Sequence, residues 1–184
     1  MKKQKKLKVN KKDYAPFYKG QSLFKKIKYA HQRIKYGYCD LDLWNINYWF
    51  LSVFPEMLKE LSIKYNSYPS ELTSEEWSNT LKKMANYFIE ADEDKCHLKD
   101  SLEEVEHKLD EYRFSYYKKY GNPISRLDKH LREGSGYQSI MTDKKYLELL
   151  EEYKKISKEV SEYCKTNLDL GLNLLSQYFY DLWD

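Results

Sequence analysis

Two long stretches of the chain space their apolar side chains alternately three and four residues apart. This spacing keeps one side of an α-helix apolar over several turns, as in a coiled coil. With only 6 Gly and 4 Pro among 184 residues, the chain is poor in turn formers, and no segment has the pattern of a β-strand. We therefore predict an all-α fold, a helical bundle in which the two stretches pair as a long antiparallel helical hairpin. The stretches comprise Leu98, Leu102, Val105, Leu109, Tyr112 and Tyr116, and then Tyr146, Leu149, Tyr153, Ile156, Val160 and Tyr163.

The remaining segments divide the chain around this hairpin. Residues 1–21 are rich in lysine and have almost nothing to bury, which predicts a disordered, flexible basic arm. Residues 22–94 contain three helical patterns and form a helical domain. The hairpin occupies 95–164, with an irregular loop at 120–142 that holds three Gly and one Pro. Residues 165–184 are expected to form a C-terminal helix that packs back on the helical domain.

Local signals predict where several helices begin and end. Ser22 can cap a short basic amphipathic helix that ends at Gly37. Asp40 has the side chain of an N-cap for the next helix. Thr73 and Glu76 have the spacing of a capping box. These positions predict three separate helix starts in the helical domain.

Two positions are expected to disturb long helices. Pro55 lies inside a helical pattern and should kink or divide it, because proline removes one backbone donor and crowds the preceding turn. The segment TNLDLG, residues 166–171, can interrupt the last helix.

The segment GYCDLDLWNINYWF, residues 37–50, concentrates aromatic side chains beside polar ones. Aromatic residues at helical spacing usually belong to a core, so we expect one buried face and a second face that packs on other aromatics. Asp42, Asn45 and Asn47 form the polar part of a contact surface if they are exposed. The buried face comprises Trp44, Tyr48 and Leu51; the second face comprises Trp49 and Phe50, and is expected to meet Trp77 or the terminal Tyr178, Phe179 and Trp183.

The charge of the chain is unevenly distributed. Residues 1–36 carry 13 Lys or Arg and one acid, a net +12, whereas the rest carries 19 basic and 28 acidic side chains, a net −9. The basic residues suit a nucleic-acid backbone, an acidic protein groove or the protein's own acidic part, and a solubilising tail is the alternative. The candidate residues for binding nucleic acid or an acidic partner are Lys5, Lys6, Lys8, Lys11, Lys12, Lys25, Lys26, Lys28, Arg33 and Lys35.

The acidic residues raise the question of a metal site. Glu90, Asp92, Glu93 and Asp94 form a candidate acidic surface for partner binding. Pyrophosphatases of the MazG type hold magnesium with an ExxE motif and an ExxD motif on two helices; here ExxE occurs, as at Glu90 and Glu93, but no ExxD does. We therefore predict no catalytic residues, no metal and no cofactor. The three cysteines form no CxxC pair, which favours a cytoplasmic protein with incidental thiols.

Three segments of the chain resemble the corresponding segments in a family of small proteins of phages, prophages and related mobile elements. They are IKYAHQRIKYGYCDLDLWNINYWF, then LTSEEWSNTLKKMANYF, and the C-terminal LDLGLNLLSQYFYDLW. Family members share the basic helix, a GxxDxDLW turn into a helix, an LTxEEW helix start and an aromatic C-terminus that ends near LW. Some type II anti-CRISPR proteins, which bind Cas9, are similar in size and genetic context.

This resemblance implies a non-enzymatic binding protein that acts in the host cytoplasm. The expected partner is a host protein or ribonucleoprotein, a Cas9-type effector above all, with possible DNA or RNA contact and no membrane. One alternative is a nucleic-acid-binding accessory protein of phage replication or packaging. The other is an all-α, metal-dependent nucleotide hydrolase. The oligomeric state stays open.

Overall fold

The structure, a computed structural model, describes residues 22–64, 67–120 and 140–182. These ranges are helical and contain no strand, which confirms the predicted all-α class. The basic arm 1–21 and most of the predicted loop 120–142 lie outside the described residues. The α-helices are α1 (Leu23–Tyr36), α2 (Asp40–Trp44), α3 (Ile46–Lys64), α4 (Ser74–Glu90), α5 (Lys99–Tyr120) and α6 (Lys144–Tyr178), and two short 3-10 helices span Ile140–Thr142 and Phe179–Asp181.

The helices fall into two compact units. The first comprises the described parts of Met1–Asp92 and Leu168–Asp184, and the second comprises those of Glu93–Asn167. The last turns of α6 therefore belong to the first unit and the rest of that helix to the second.

The core of the first unit is centred on α4. Its residues Trp77, Leu81, Met84 and Phe88 recur at helical spacing and are all buried, as the pattern predicts. Ala85 of α4 and Leu58 of α3 complete this cluster of buried side chains. The capping box that starts α4 also forms, since the backbone N–H of Thr73 donates to the Glu76 carboxylate at 2.7 Å and the Thr73 hydroxyl accepts from the Glu76 N–H at 3.2 Å.

The aromatic side chain of Phe88 holds the centre of this core. Its ring centroid lies 5.2 Å from that of Phe50 and 5.5 Å from that of Phe54, both in edge-to-face geometry. On α6, Gly171 faces the same ring, and a Cβ at this position would lie 3.0 to 3.1 Å from three Phe88 ring atoms. The predicted interruption at TNLDLG does not occur, because α6 runs through this segment and Gly171 leaves room for the ring.

The predicted hairpin forms the second unit. Near the start of α5, Leu98 and Leu102 pack in one cluster with Val160 of α6. In the middle and near the end of α5, respectively, Leu109 and Tyr116 pack with Tyr146, at the start of α6. The helices are therefore antiparallel, as predicted. Polar contacts fix the same register, since the Tyr112 hydroxyl donates to Asp143 at 2.8 Å and Arg113 donates to the Tyr146 hydroxyl at 3.0 Å.

The sequence predicts that Pro55 kinks or divides its helix, and the division does not occur, because α3 continues from Ile46 to Lys64. Proline inside a helix costs about 3 kcal/mol, but Pro55 is buried and its neighbours Phe54 and Leu58 pack in the core, which holds the helix together. The chain breaks instead at Asn45, the C-cap of α2 (φ −143°).

This break overturns the expected burial of Trp44, which is 87% exposed. Helical spacing placed Trp44 on one face with Tyr48 and Leu51, but the spacing does not carry over from α2 to α3. The second predicted face is closer to the structure: Phe50 packs on Phe88 rather than on Trp77, and Trp77 meets Tyr178, with ring centroids 5.4 Å apart.

Candidate interaction surface

Helix α1 forms between its predicted caps. The Ser22 hydroxyl accepts a hydrogen bond from the Lys25 N–H at 3.4 Å, and Gly37 ends the helix in the left-handed conformation at φ 80°. Glycine takes this conformation without steric cost, and its N–H donates to the Arg33 carbonyl at 2.9 Å. The turn at Gly37 lets the chain double back, so α2 lies beside α1.

A charged pair joins α1 to α2. The Arg33 guanidinium binds both carboxylate oxygens of Asp42, with Nε donating to Oδ2 at 2.9 Å and Nη2 donating to Oδ1. Asp42 is only 6% exposed, so this two-point contact is shielded from water on the carboxylate side. Asp42 is therefore part of the join between the helices, and not of an exposed polar surface.

The same carboxylate starts α2. The backbone N–H of Cys39 donates to Asp42 Oδ2 at 2.8 Å, so Cys39 is the N-cap residue and the predicted cap, Asp40, is the first residue of the helix. The prediction failed because Asp42 reaches back across the first turn and satisfies the free N–H itself. Burial raises the pKa of Asp42, but the hydrogen bonds from Arg33 and Cys39 outweigh burial and hold the pKa below its ordinary value.

Asp40 makes a second, exposed contact with α1. Its two carboxylate oxygens accept from Lys28 Nζ and Gln32 Nε2, each at 2.8 Å. The hydrogen bond from Lys28 lowers the pKa of Asp40, and the same bond raises the pKa of Lys28. Lys28 and Arg33, two of the predicted partner-binding residues, therefore hold α1 against α2.

The apolar side of α1 is exposed. Leu23, Ile27 and Ile34 are 70%, 59% and 86% exposed, and Ala30 is exposed with them. At about 100° per residue these four side chains share a sector of roughly 60°, which we call the α1 stripe. The docking residues Lys28, Gln32 and Arg33 lie roughly 90° to 170° away from the centre of the stripe. The helix is thus docked through polar side chains, and its apolar stripe points away from α2.

Lysines flank the α1 stripe on both sides, and on one side Phe24, which is 85% exposed, lies between the stripe and the lysine. Lys26 lies roughly 70° from its centre on one side, and Lys35 roughly 110° on the other. Both lysines are exposed, as is Lys25. The sequence of α1, LFKKIKYAHQRIKY, contains no acidic residue. An apolar stripe with basic borders is therefore what α1 presents to solvent.

Further apolar side chains are exposed on α2 and at the start of α3. They are Leu43, Trp44 and Ile46. Between them Asn45 is half-buried, and Asn47 is exposed. Sequence reasoning assigned Trp44 to the core and so missed this exposed group.

The other predicted site residues are dispersed. Of the acidic set, Glu90 ends α4 and is half-buried, Asp92 is buried, and Glu93 and Asp94 are exposed in the turn that follows. In the described ranges, no three His, Cys, Asp or Glu side chains are grouped as metal ligands would be. The predicted basic residues of the arm, Lys5, Lys6, Lys8, Lys11 and Lys12, lie outside the described residues.

A shallow apolar pocket of about 340 Å³ lies in the first unit. The pocket is not predictable from local sequence, because Leu182 joins a wall made by α3 from more than a hundred residues away. An ion pair between Glu60 and Lys64 at 2.8 Å lies at its edge. The pocket is lined by Phe54, Met57, Leu58, Glu60, Leu61, Lys64 and Leu182.

The remaining observations concern the whole described chain. Cys39, Cys96 and Cys164 are buried thiols, and none of them is in a disulfide. Among the described helices, none is both long enough and apolar enough to cross a membrane. No protein-family model, curated protein or solved structure matches the sequence. Among the described residues, the α1 stripe is an exposed group of apolar side chains on one face of a helix.

Proposed function

We propose that the chain is a binding protein of a mobile element that inhibits a host nucleic-acid-handling machine, with the Cas9 ribonucleoprotein as the sharpest candidate. The observation that supports this proposal most directly is the α1 stripe, an apolar surface with basic borders that is held away from the rest of its own unit. The resemblance to phage and prophage proteins supports the choice of machine.

The energy available at the α1 stripe fits a specific complex. Full burial of a large aliphatic side chain contributes about 1.5 to 3 kcal/mol. Leu23, Ile27 and Ile34 together contribute on the order of 5 kcal/mol of burial energy, which offsets part of the entropic cost of association. A free protein gains nothing from exposing these side chains, so their exposure supports a binding role.

The charge distribution supports a target that contains both protein and nucleic acid. The net +12 of residues 1–36 suits phosphates, and the net −9 of the rest suits a basic channel that normally holds nucleic acid. One chain then contacts a ribonucleoprotein at two kinds of surface.

A direct binding experiment tests the Cas9 version. The full chain is titrated into purified Cas9 loaded with guide RNA, and both complex formation and cleavage of target DNA are measured. We expect a complex at micromolar concentration or tighter and a loss of cleavage in proportion to its formation. The Ile27→Ser/Ile34→Ser variant should bind at least about tenfold more weakly, whereas Phe114→Ser, which changes an exposed side chain on α5, should bind normally.

Two results would count against the proposal. Absence of any complex removes the Cas9 version. Complex formation that the α1 variant does not weaken removes the α1 stripe as the carrying feature.

The runner-up is a nucleic-acid-binding accessory protein of phage replication or packaging. The exposed lysines of α1 favour it, since Lys25, Lys26 and Lys35 are available to phosphates. Binding of the purified chain to duplex or single-stranded DNA alone, with an affinity that falls steeply as salt rises, would support this reading over the first.

A further inference from the structure

The way in which α1 is docked defines what its partner must look like. We propose that α1 is a ligand helix that seats the α1 stripe in a groove on a partner protein, and that this groove has an apolar floor and carboxylate side chains along its rims. This inference rests on the proposed function, because it assumes that the chain binds a partner, and it adds the chemistry of the contact.

The spacing of the stripe matches helix-in-groove recognition. Leu23, Ile27, Ala30 and Ile34 stand at positions i, i+4, i+7 and i+11 of one helix. Ligand helices of this kind present their anchors at such positions on one face. The stripe is about 16 Å long at 1.5 Å per residue, enough for three large anchors in separate subpockets.

The charges of α1 indicate which kind of partner can bind the α1 stripe. α1 has no acidic residue, so the rims of the groove are complementary when they carry carboxylates. A second α1 is a poor occupant, because Lys26 and Lys35 of two copies would repel each other. Nucleic acid is a poor occupant of the stripe itself, since bases stack on aromatic rings and phosphates bind cations, and neither gains from leucine or isoleucine.

The contacts between α1 and α2 preorganise α1 as a helix for binding. An isolated helix of this length is marginal in water. Here the two-point contact of Arg33 with Asp42, and the caps Ser22 and Gly37, hold the 14 residues of α1 as a helix before any partner arrives. Binding then does not have to order the helix, which preserves affinity. The docked side cannot be engulfed, so the partner must provide an open groove that contacts one face.

Site-specific photo-crosslinking tests this inference on the full chain. p-Benzoylphenylalanine replaces His31, an exposed residue roughly 70° from the centre of the α1 stripe. A matched chain carries the same crosslinker in place of Phe114 on α5. Both are irradiated in a nuclease-treated lysate of the cell in which the gene resides, at about 0.5 M salt, where exposed ionic contacts are screened.

We expect a discrete, protease-sensitive adduct from position 31 and none from position 114. Ile27→Ser/Ile34→Ser should lower its yield at least tenfold, because two anchors are lost. In a parallel lysate at about 0.1 M salt, where exposed charges still interact over roughly 10 Å, Lys26→Glu/Lys35→Glu should also lower the yield, because the rims then repel. Circular dichroism of each variant should show the helix content and thermal midpoint of the parent chain, which separates loss of binding from loss of folding.

Each of the following outcomes would contradict the proposed groove. An adduct that forms only without nuclease identifies nucleic acid, one that extracts into organic solvent identifies lipid, and one of twice the chain mass identifies a second copy. An adduct insensitive to the isoleucine variant, or no adduct, removes the α1 stripe as a ligand.

The groove and the proposed function fail in distinguishable ways. If position 31 crosslinks as expected to a protein that has no association with nucleic acid, the groove stands and the proposed machine is wrong. If the chain co-purifies with a nucleic-acid-handling complex but position 31 does not crosslink, the proposed function stands and the groove is wrong.

Discussion

Replacement of Gly171 by alanine has two opposing effects on the free energy of unfolding. Alanine is favoured over glycine inside a helix by about 1 kcal/mol, so the change should stabilise α6. The added Cβ would lie 3.0 to 3.1 Å from three ring atoms of Phe88, closer than carbon atoms normally approach. Overpacking of a well-packed core costs about 1 to 3 kcal/mol. The sign of the result depends on whether the ring can move.

The surroundings of Phe88 indicate that the ring cannot move. The side chain is 0% exposed, and its ring lies against Phe50 and Phe54 at centroid distances of 5.2 and 5.5 Å. A shift of a few tenths of an ångström would press it into these neighbours. We therefore expect Gly171→Ala to lower the free energy of unfolding by up to about 2 kcal/mol, the overpacking cost less the helix gain.

Equilibrium denaturation followed by circular dichroism measures this change, and a double-mutant cycle identifies its cause. In a Phe88→Leu background the ring is gone, so Gly171→Ala should there raise the free energy of unfolding by about 1 kcal/mol. The difference between the two backgrounds is the coupling energy, expected at about 1 to 3 kcal/mol. Stabilisation by Gly171→Ala in the parent chain, or equal effects in both backgrounds, would refute the reasoning.

Three further substitutions and one change of pH test other features of the structure. Asp42→Asn removes the charged contact with Arg33, so amide exchange in α1 should accelerate at least about tenfold, as expected for loss of a hydrogen bond to a charged group; an unchanged exchange rate would contradict the docking role. Because the folded pKa of Asp42 is lowered, its contribution to stability is present above its unfolded pKa of about 3.9 and is lost as pH falls through the lower folded pKa; α1 should therefore stay protected at neutral pH and open only in acid, and opening near pH 7 would be inconsistent with this. Thr73→Ala removes an N-cap and should cost about 1 kcal/mol in thermal or chemical unfolding, whereas Thr73→Ser keeps the cap and should cost less; equal losses would argue against capping. Trp44→Ser should change the free energy of unfolding by no more than about 0.5 kcal/mol, because the side chain is exposed, and a larger loss would show that it is packed.

Features set by residues close in the chain were predictable. The capping box at Thr73 and the caps of α1 depend on groups within three or four positions of the groups they satisfy. The antiparallel hairpin was predictable because its alternating spacing persists over many turns, so that single exceptions do not obscure it.

The features that were missed depend on one irregular residue or on distant contacts. Asn45 breaks the helical phase, and this one break moves Trp44 from a predicted core position to the surface. The contact of Arg33 with Asp42 requires the turn at Gly37, whose direction no pattern specifies. The fit of Gly171 against Phe88 joins residues more than eighty positions apart, and spacing within either helix does not reveal it.

The contacts that hold α1 against α2 have a consequence for how this protein can change over generations. They join residues only 8 to 12 positions apart, from Gln32 to Asp40 and from Lys28 to Asp40. Helix α1 is therefore held by contacts with the neighbouring helix α2 and does not depend on the core around Phe88. In the proposed binding role, substitutions along the α1 stripe would then change the partner without a matching change in the core around Phe88.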